Sequence, residues 1–131
     1  MEIVPGEGVG PIKFGMTMDE VKRALGEPDK IPGRAVSYSQ LGIAVLPSSQ
    51  DGRVGAIMIG GTDGGPLVER FQGSTKQGIR LKSTLQQVIT AYGTPEISRT
   101  DAAGIEELRY EGGRIQFRLQ DGKLVHIALR R

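Results

Sequence analysis

The chain has 131 residues, with 17 Lys and Arg against 15 Asp and Glu for a formal net charge of +2, a single His and no Cys. That length predicts one domain, the missing Cys excludes disulfides, thiolate chemistry and a lipid-anchored N-terminal Cys in this chain, and no apolar run approaches the roughly 18 to 20 residues that cross a bilayer. So small a net charge also argues against a dedicated nucleic-acid binder, although the pI of 9.1 leans that way.

The opening MEIVPGEG has neither a basic start nor an apolar run, so no signal peptide is expected there. The expected location is the cytoplasm for the chain as it stands, and the periplasm or exterior if a signal segment has been removed. Gly6-Glu7-Gly8-Val9-Gly10-Pro11 is one residue from a dinucleotide fingerprint, but Pro11 takes the third Gly position and no βαβ unit surrounds it, so it reads as a turn. Thr17 and Glu20 form a capping box that starts a helix, and Gly26 and Pro28 stop it after two to three turns. Met18, Val21, Ala24 and Leu25 share its apolar face. Asp19 and Glu20 read as first-turn carboxylates facing the helix dipole, not as an acid–base pair.

Three strands follow, marked by the alternation of Val36 and Tyr38, Ile43 and Val45, and Ile57 and Ile59, with Asp51-Gly52 as a hairpin turn before the third. Residues 60–78 read as a Gly-rich linker in which Leu67, Val68 and Phe71 are packing residues. Its Gly73 and Gly78 have the spacing of a phosphate loop, yet Ile79-Arg80 stand where Lys-Ser/Thr should follow.

From Ile79 the pattern repeats. Aligned at an offset of 67, Ile12 to Asp29 and Ile79 to Glu96 are identical at Ile12/Ile79, Thr17/Thr84, Val21/Val88, Ala24/Ala91, Gly26/Gly93 and Pro28/Pro95. Thr84 and Gln87 form a second capping box, and Leu108 and Tyr110, then Ile115, Phe117 and Leu119, then Val125, Ile127 and Leu129 give three more strands. Asp121-Gly122 is the matching turn. Lys82 and Ser83 replace Gly15 and Met16, the main departure of the second copy. Half a chain buries too little surface to fold alone. The expectation is therefore one α+β domain, residues 1–131, made of two helix–strand–strand–strand repeats at about 10–60 and 77–131. They would share one antiparallel sheet of about six strands, with two short helices on one face and the other face open.

The run Gly-x-Ile-Lys-Phe-Gly-Met-Thr-x-x-Glu-Val, then Leu-Gly-x-Pro-Asp, then strands, resembles the SmpA/OmlA type of small lipoprotein of the outer-membrane assembly machinery. The duplication resembles the tandem-repeat fold of β-lactamase inhibitor proteins. The resemblance implies noncatalytic protein binding, often through the open sheet face, and carries over no contact residue.

Alternation predicts that Ser37, Ala44, Leu46, Ala56 and Met58 line the open face in the first half and Arg109, Gln116, Arg118, His126 and Arg130 in the second. One end is uncharged and the other basic. The predicted protein-binding set is Leu46, Met58, Arg109, Gln116, Arg118, His126 and Arg130, with an acidic protein as partner, as for an inhibitor, an immunity-like protein or an assembly accessory. A lone His gives no triad or zinc set, so no catalytic residue, cofactor or metal is assigned. Glu106 and Glu107 read as solvated. The alternative is weak, salt-sensitive binding of nucleic acid or another anionic ligand through the arginines, disfavoured because no aromatic side chain points outward for base stacking.

Overall fold

In both helices the Thr side chain accepts the backbone N–H of the residue three on, and that residue's side chain accepts the Thr N–H in return. Thr17 and Glu20 do this for α1 (Met18–Leu25), and Thr84 and Gln87 for α2 (Leu85–Tyr92). Gly26 and Gly93 then end the helices in nearly the same left-handed conformation, φ 88° and 80°. Val21 and Val88 are fully buried, so each helix lies on the core by its apolar stripe.

The computed structural model describes residues 1–29, 35–60 and 71–131. Among the described residues it is an α+β fold of two α-helices and two sheets. The main sheet contains β4 (Val36–Tyr38), β5 (Ile43–Pro47), β6 (Val54–Ile59), β8 (Ile97–Thr100), β9 (Glu106–Tyr110), β10 (Ile115–Gln120) and β11 (Lys123–Arg130). Its order is β4-β5-β6-β11-β10-β9-β8, antiparallel throughout. The seam between the halves is β6 against β11, with Ile59 opposite Ile127 and Ile57 opposite Leu129.

Equivalent positions are tied down in the same way on either side of that seam. The Tyr38 hydroxyl donates to the Gly26 carbonyl at 2.9 Å, and the Tyr110 hydroxyl to the Gly93 carbonyl at 2.9 Å, so each helix end is latched to a strand. Gly15 N–H donates to Val54 O and Val54 N–H to Met16 O, while Lys82 N–H donates to Leu124 O and Leu124 N–H to Ser83 O. Lys82 keeps the left-handed backbone of Gly15, φ 77° against 89°, although it carries a side chain.

Several expectations need correction. The main sheet has seven strands, because β8 adds to the outer edge of β9; all four of its residues are exposed, so it has no apolar alternation to announce it. A second sheet is built from β1 (Glu2–Val4), β2 (Gly8–Val9), β3 (Ile12–Lys13) and β7 (Ser74–Thr75) in the order β3-β2-β1-β7. Its β1–β7 pair is parallel, so the protein is not one antiparallel sheet. Ile3, Val9 and Ile12 from this small sheet are fully buried and join the single core with Val21, Ile57, Val88 and Phe117. The Asp-Gly turns also differ. Asp121 and Gly122 both have positive φ, as a two-residue hairpin loop requires, and join Gln120 to Lys123. The loop at Asp51-Gly52 is longer, running from Pro47 to Val54. Of the linker, residues 61–70, including Leu67 and Val68, lie outside the described residues; Phe71 is buried and residues 74–75 form β7.

A candidate binding face on the main sheet

Side chains of alternate parity leave the core face of a strand for the opposite one. On the main sheet this outer face carries a continuous cross-strand row of Ser37, Ala44, Met58, Ala128, Gln116, Arg109 and Ile97. A second row runs Leu46, Ala56, Arg130, and a third His126, Arg118, Glu107, Arg99. All seven predicted site residues stand on this face. Leu46 and Met58 are half-buried at the uncharged end, Arg109 and Arg118 are half-buried at the other, and Arg130 is exposed.

Gln116 and His126 break the expectation of an open face, being only 6% and 4% exposed. Parity fixed the side they point to but not what surrounds them. His126 is opposite Arg118, and its pKa falls to about 4, first because burial disfavours the imidazolium and then because Arg118 repels it. A hydrogen bond with the Gly60 backbone acts in the opposite sense and is outweighed. Its Nδ1 is enclosed and has no hydrogen-bond partner among the described residues. Beyond Arg118 the register slips by one residue, so Leu119 pairs with Leu124 and leaves Val125 as the extra residue of a bulge.

Glu107 is not simply solvated. Its two oxygens lie 3.7 Å from Arg109 Nη2 and 3.5 Å from Arg99 Nη2, and its side chain is 18% exposed. One carboxylate thus serves two guanidinium groups. Alternation places Glu107 on the face of Arg109, opposite Arg118, but the contact with Arg99 depends on β8, which alternation does not announce.

Two depressions flank the Leu46–Ala56–Arg130 row. A pocket of about 700 Å³ is lined by Leu46, Pro47, Ser48, Gly55, Ala56 and Arg131, with Arg131 3.3 Å from Asp51 at its rim. A smaller one of about 230 Å³ lies among Arg109, Gly112, Gly113, Gln116 and Arg130. Neither was visible in the sequence, because both need the turns after β5 and β9 to be placed in space. Among the described residues no three His, Cys, Asp or Glu side chains gather as metal ligands. The groups bearing on His126 are Arg118 and the Gly60 backbone, neither of which can act as the orienting carboxylate of a triad. The face can therefore offer apolar area, guanidinium donors and a carboxamide.

No helix among the described residues is long and apolar enough to cross a membrane. No family model and no curated protein matches the chain. Among solved structures it is similar to the DUF4309 family protein YjgB from Bacillus subtilis subsp. subtilis str. 168, at 18% identity and a TM-score of 0.62, covering 95% of this chain and 87% of that one. The likeness is one of fold.

Proposed function

We propose that this protein is a noncatalytic binding module that docks an acidic protein partner on the outer face of its main sheet. The observation that carries the reading is the gradient along that face, from Ala44, Leu46, Ala56 and Met58 to Arg109, Arg118 and Arg130. Apolar area supplies affinity at one end, while guanidinium groups set orientation at the other. The only carboxylate within the cationic rows is Glu107, and it is shared between Arg99 and Arg109, so the end stays positive. An acidic partner complements it. We further infer that the chain consists of two tandem copies, supported by the paired capping boxes, the paired tyrosine latches and the shared left-handed backbone at Gly15 and Lys82. In that reading divergence between copies produced the gradient. The resemblance to SmpA/OmlA proteins and β-lactamase inhibitor proteins agrees with an assembly accessory or an inhibitor.

The test begins with affinity capture from the source cells and identification of what is retained, followed by binding kinetics. Met58→Glu should weaken binding by placing a charge in the apolar part, whereas the double change Arg109→Ala, Arg118→Ala should mainly slow association and flatten its salt dependence. Wild-type kinetics from both, with variants on the exposed sides of α1 and α2 defective instead, would place the interface on the opposite side.

A further inference from the structure

The small pocket at the cationic end has an unusual inventory of polar groups. Gln116 is 6% exposed and lines it with its carboxamide. Among the described residues Arg109 Nε is enclosed without a partner, and the guanidinium's sole charged contact is the 3.7 Å approach to Glu107, too long for a hydrogen bond. Arg130, exposed on the neighbouring rim, has no ion pair among the described residues. An enclosed guanidinium N–H left unsatisfied costs the fold stability, since it gives up water without gaining a protein partner. Such a group calls for a partner that the fold itself does not supply.

We infer that this pocket is a subsite for a single carboxylate group, held between Arg109 and Arg130 with the Gln116 amide donating to one of its oxygens. The pocket supplies two cations and an amide donor, and a guanidinium presents its N–H groups in a planar fork that matches a carboxylate. Two observations favour a monoanion over a phosphate dianion. Glu107 already offsets part of the Arg109 charge, and a second carboxylate stands at the turn, where Glu96 Oε1 accepts the Gly112 N–H at 2.7 Å. A dianion would meet both, and the second negative charge gains no additional cation. The volume of about 230 Å³ admits a small acid or one terminal residue and little more. This goes beyond the docking proposal, because the subsite is defined at one end of the face and takes a free carboxylate whether or not a protein docks.

The test is an NMR titration of the full chain at constant ionic strength, following the Arg109 Nε–Hε and Gln116 side-chain amide signals. The probes are sodium acetate, sodium succinate, phosphate, and a short N-blocked glycine peptide with its C-terminus free or amidated, with chloride as the reference. Saturable shifts with acetate or succinate, weakened about tenfold or more in Arg130→Ala and in Gln116→Leu, are expected. Arg130→Ala is a surface change, so its spectrum also controls for folding. If only the free-terminus peptide saturates, the carboxylate comes from a chain end and the subsite stands. Shifts that grow linearly with every salt, persist unchanged in Arg130→Ala, or saturate more tightly with phosphate than with any carboxylate would overturn the assignment. Met58→Glu should leave acetate binding intact, which separates this result from the fate of the docking reading.

Discussion

Lowering the pH from 7 to 5 should destabilise this protein through one side chain. His126 is the only His in the chain, it is 4% exposed, and its pKa drops from the ordinary 6.5 to about 4 in the fold. In the unfolded chain it takes up a proton near pH 6.5, whereas the native state resists protonation until about pH 4. The unfolded state therefore binds more protons throughout that interval. The stability contribution is fully present above pH 6.5 and is lost as pH falls toward 4. The whole gap corresponds to about 3 kcal/mol, of which about 2 kcal/mol should disappear between pH 7 and pH 5. Glu20 and Asp51 have carboxyl pKa values lowered chiefly by backbone hydrogen bonds, and they act mainly below this window. Urea denaturation at pH 7, 6 and 5 measures the loss directly. His126→Leu, which also removes the unpartnered Nδ1, should flatten the profile over that range. An imidazole titrating at pH 6 or above by NMR, or an equal loss of stability in His126→Leu, would refute the account.

Val21→Asp and Val88→Asp should each destabilise by several kcal/mol through burial of an unpaired charge, and thermal melts of the two variants test whether both helices dock as described. Tyr38→Phe and Tyr110→Phe each delete a 2.9 Å bond to a helix-end carbonyl and should cost about 1 kcal/mol apiece. Because they lie in opposite halves of the sheet, the double variant should be additive in denaturant unfolding. Gly15→Ala should lose about 1 kcal/mol, while Lys82→Gly, at the corresponding left-handed position, should gain roughly 0.5 to 1 kcal/mol. Opposite signs in paired melts are the expected result, and equal signs would contradict it.

The parts of the fold written in local chemistry were legible in advance. Thr17 with Glu20 and Thr84 with Gln87 announced both helix starts, and the alternation through Ile43, Val45, Ile57, Ile59, Phe117 and Ile127 announced the core strands. The small sheet was not legible, because two-residue strands such as Gly8–Val9 and Ser74–Thr75 are too short to display a period of two. The parallel pairing of Ile3 with Thr75 joins segments with no local relation at all. At the site, parity placed Arg109, Gln116, Arg118, His126 and Arg130 on one face, since that depends only on strand direction. It could not report that Gln116 and His126 are enclosed or that Glu107 bridges Arg99 and Arg109, because enclosure depends on neighbours brought in from other strands.

The seam between β6 and β11 has a consequence for how the chain is made. As synthesis proceeds from the N-terminus, β4, β5 and β6 can assemble among themselves, but β6 then presents an unpaired rim along VGAIMI, a segment without a single charge. Its native partner is the last of the seven strands to be translated, after the whole of the second helix and β8, β9 and β10. During that interval the nascent first half is a template for any extended apolar segment nearby. A messenger truncated before β11 would therefore yield an adhesive fragment rather than an inert one. The folded protein, by contrast, keeps this rim at the centre of its sheet and leaves the polar strand Ile97–Thr100 on one margin.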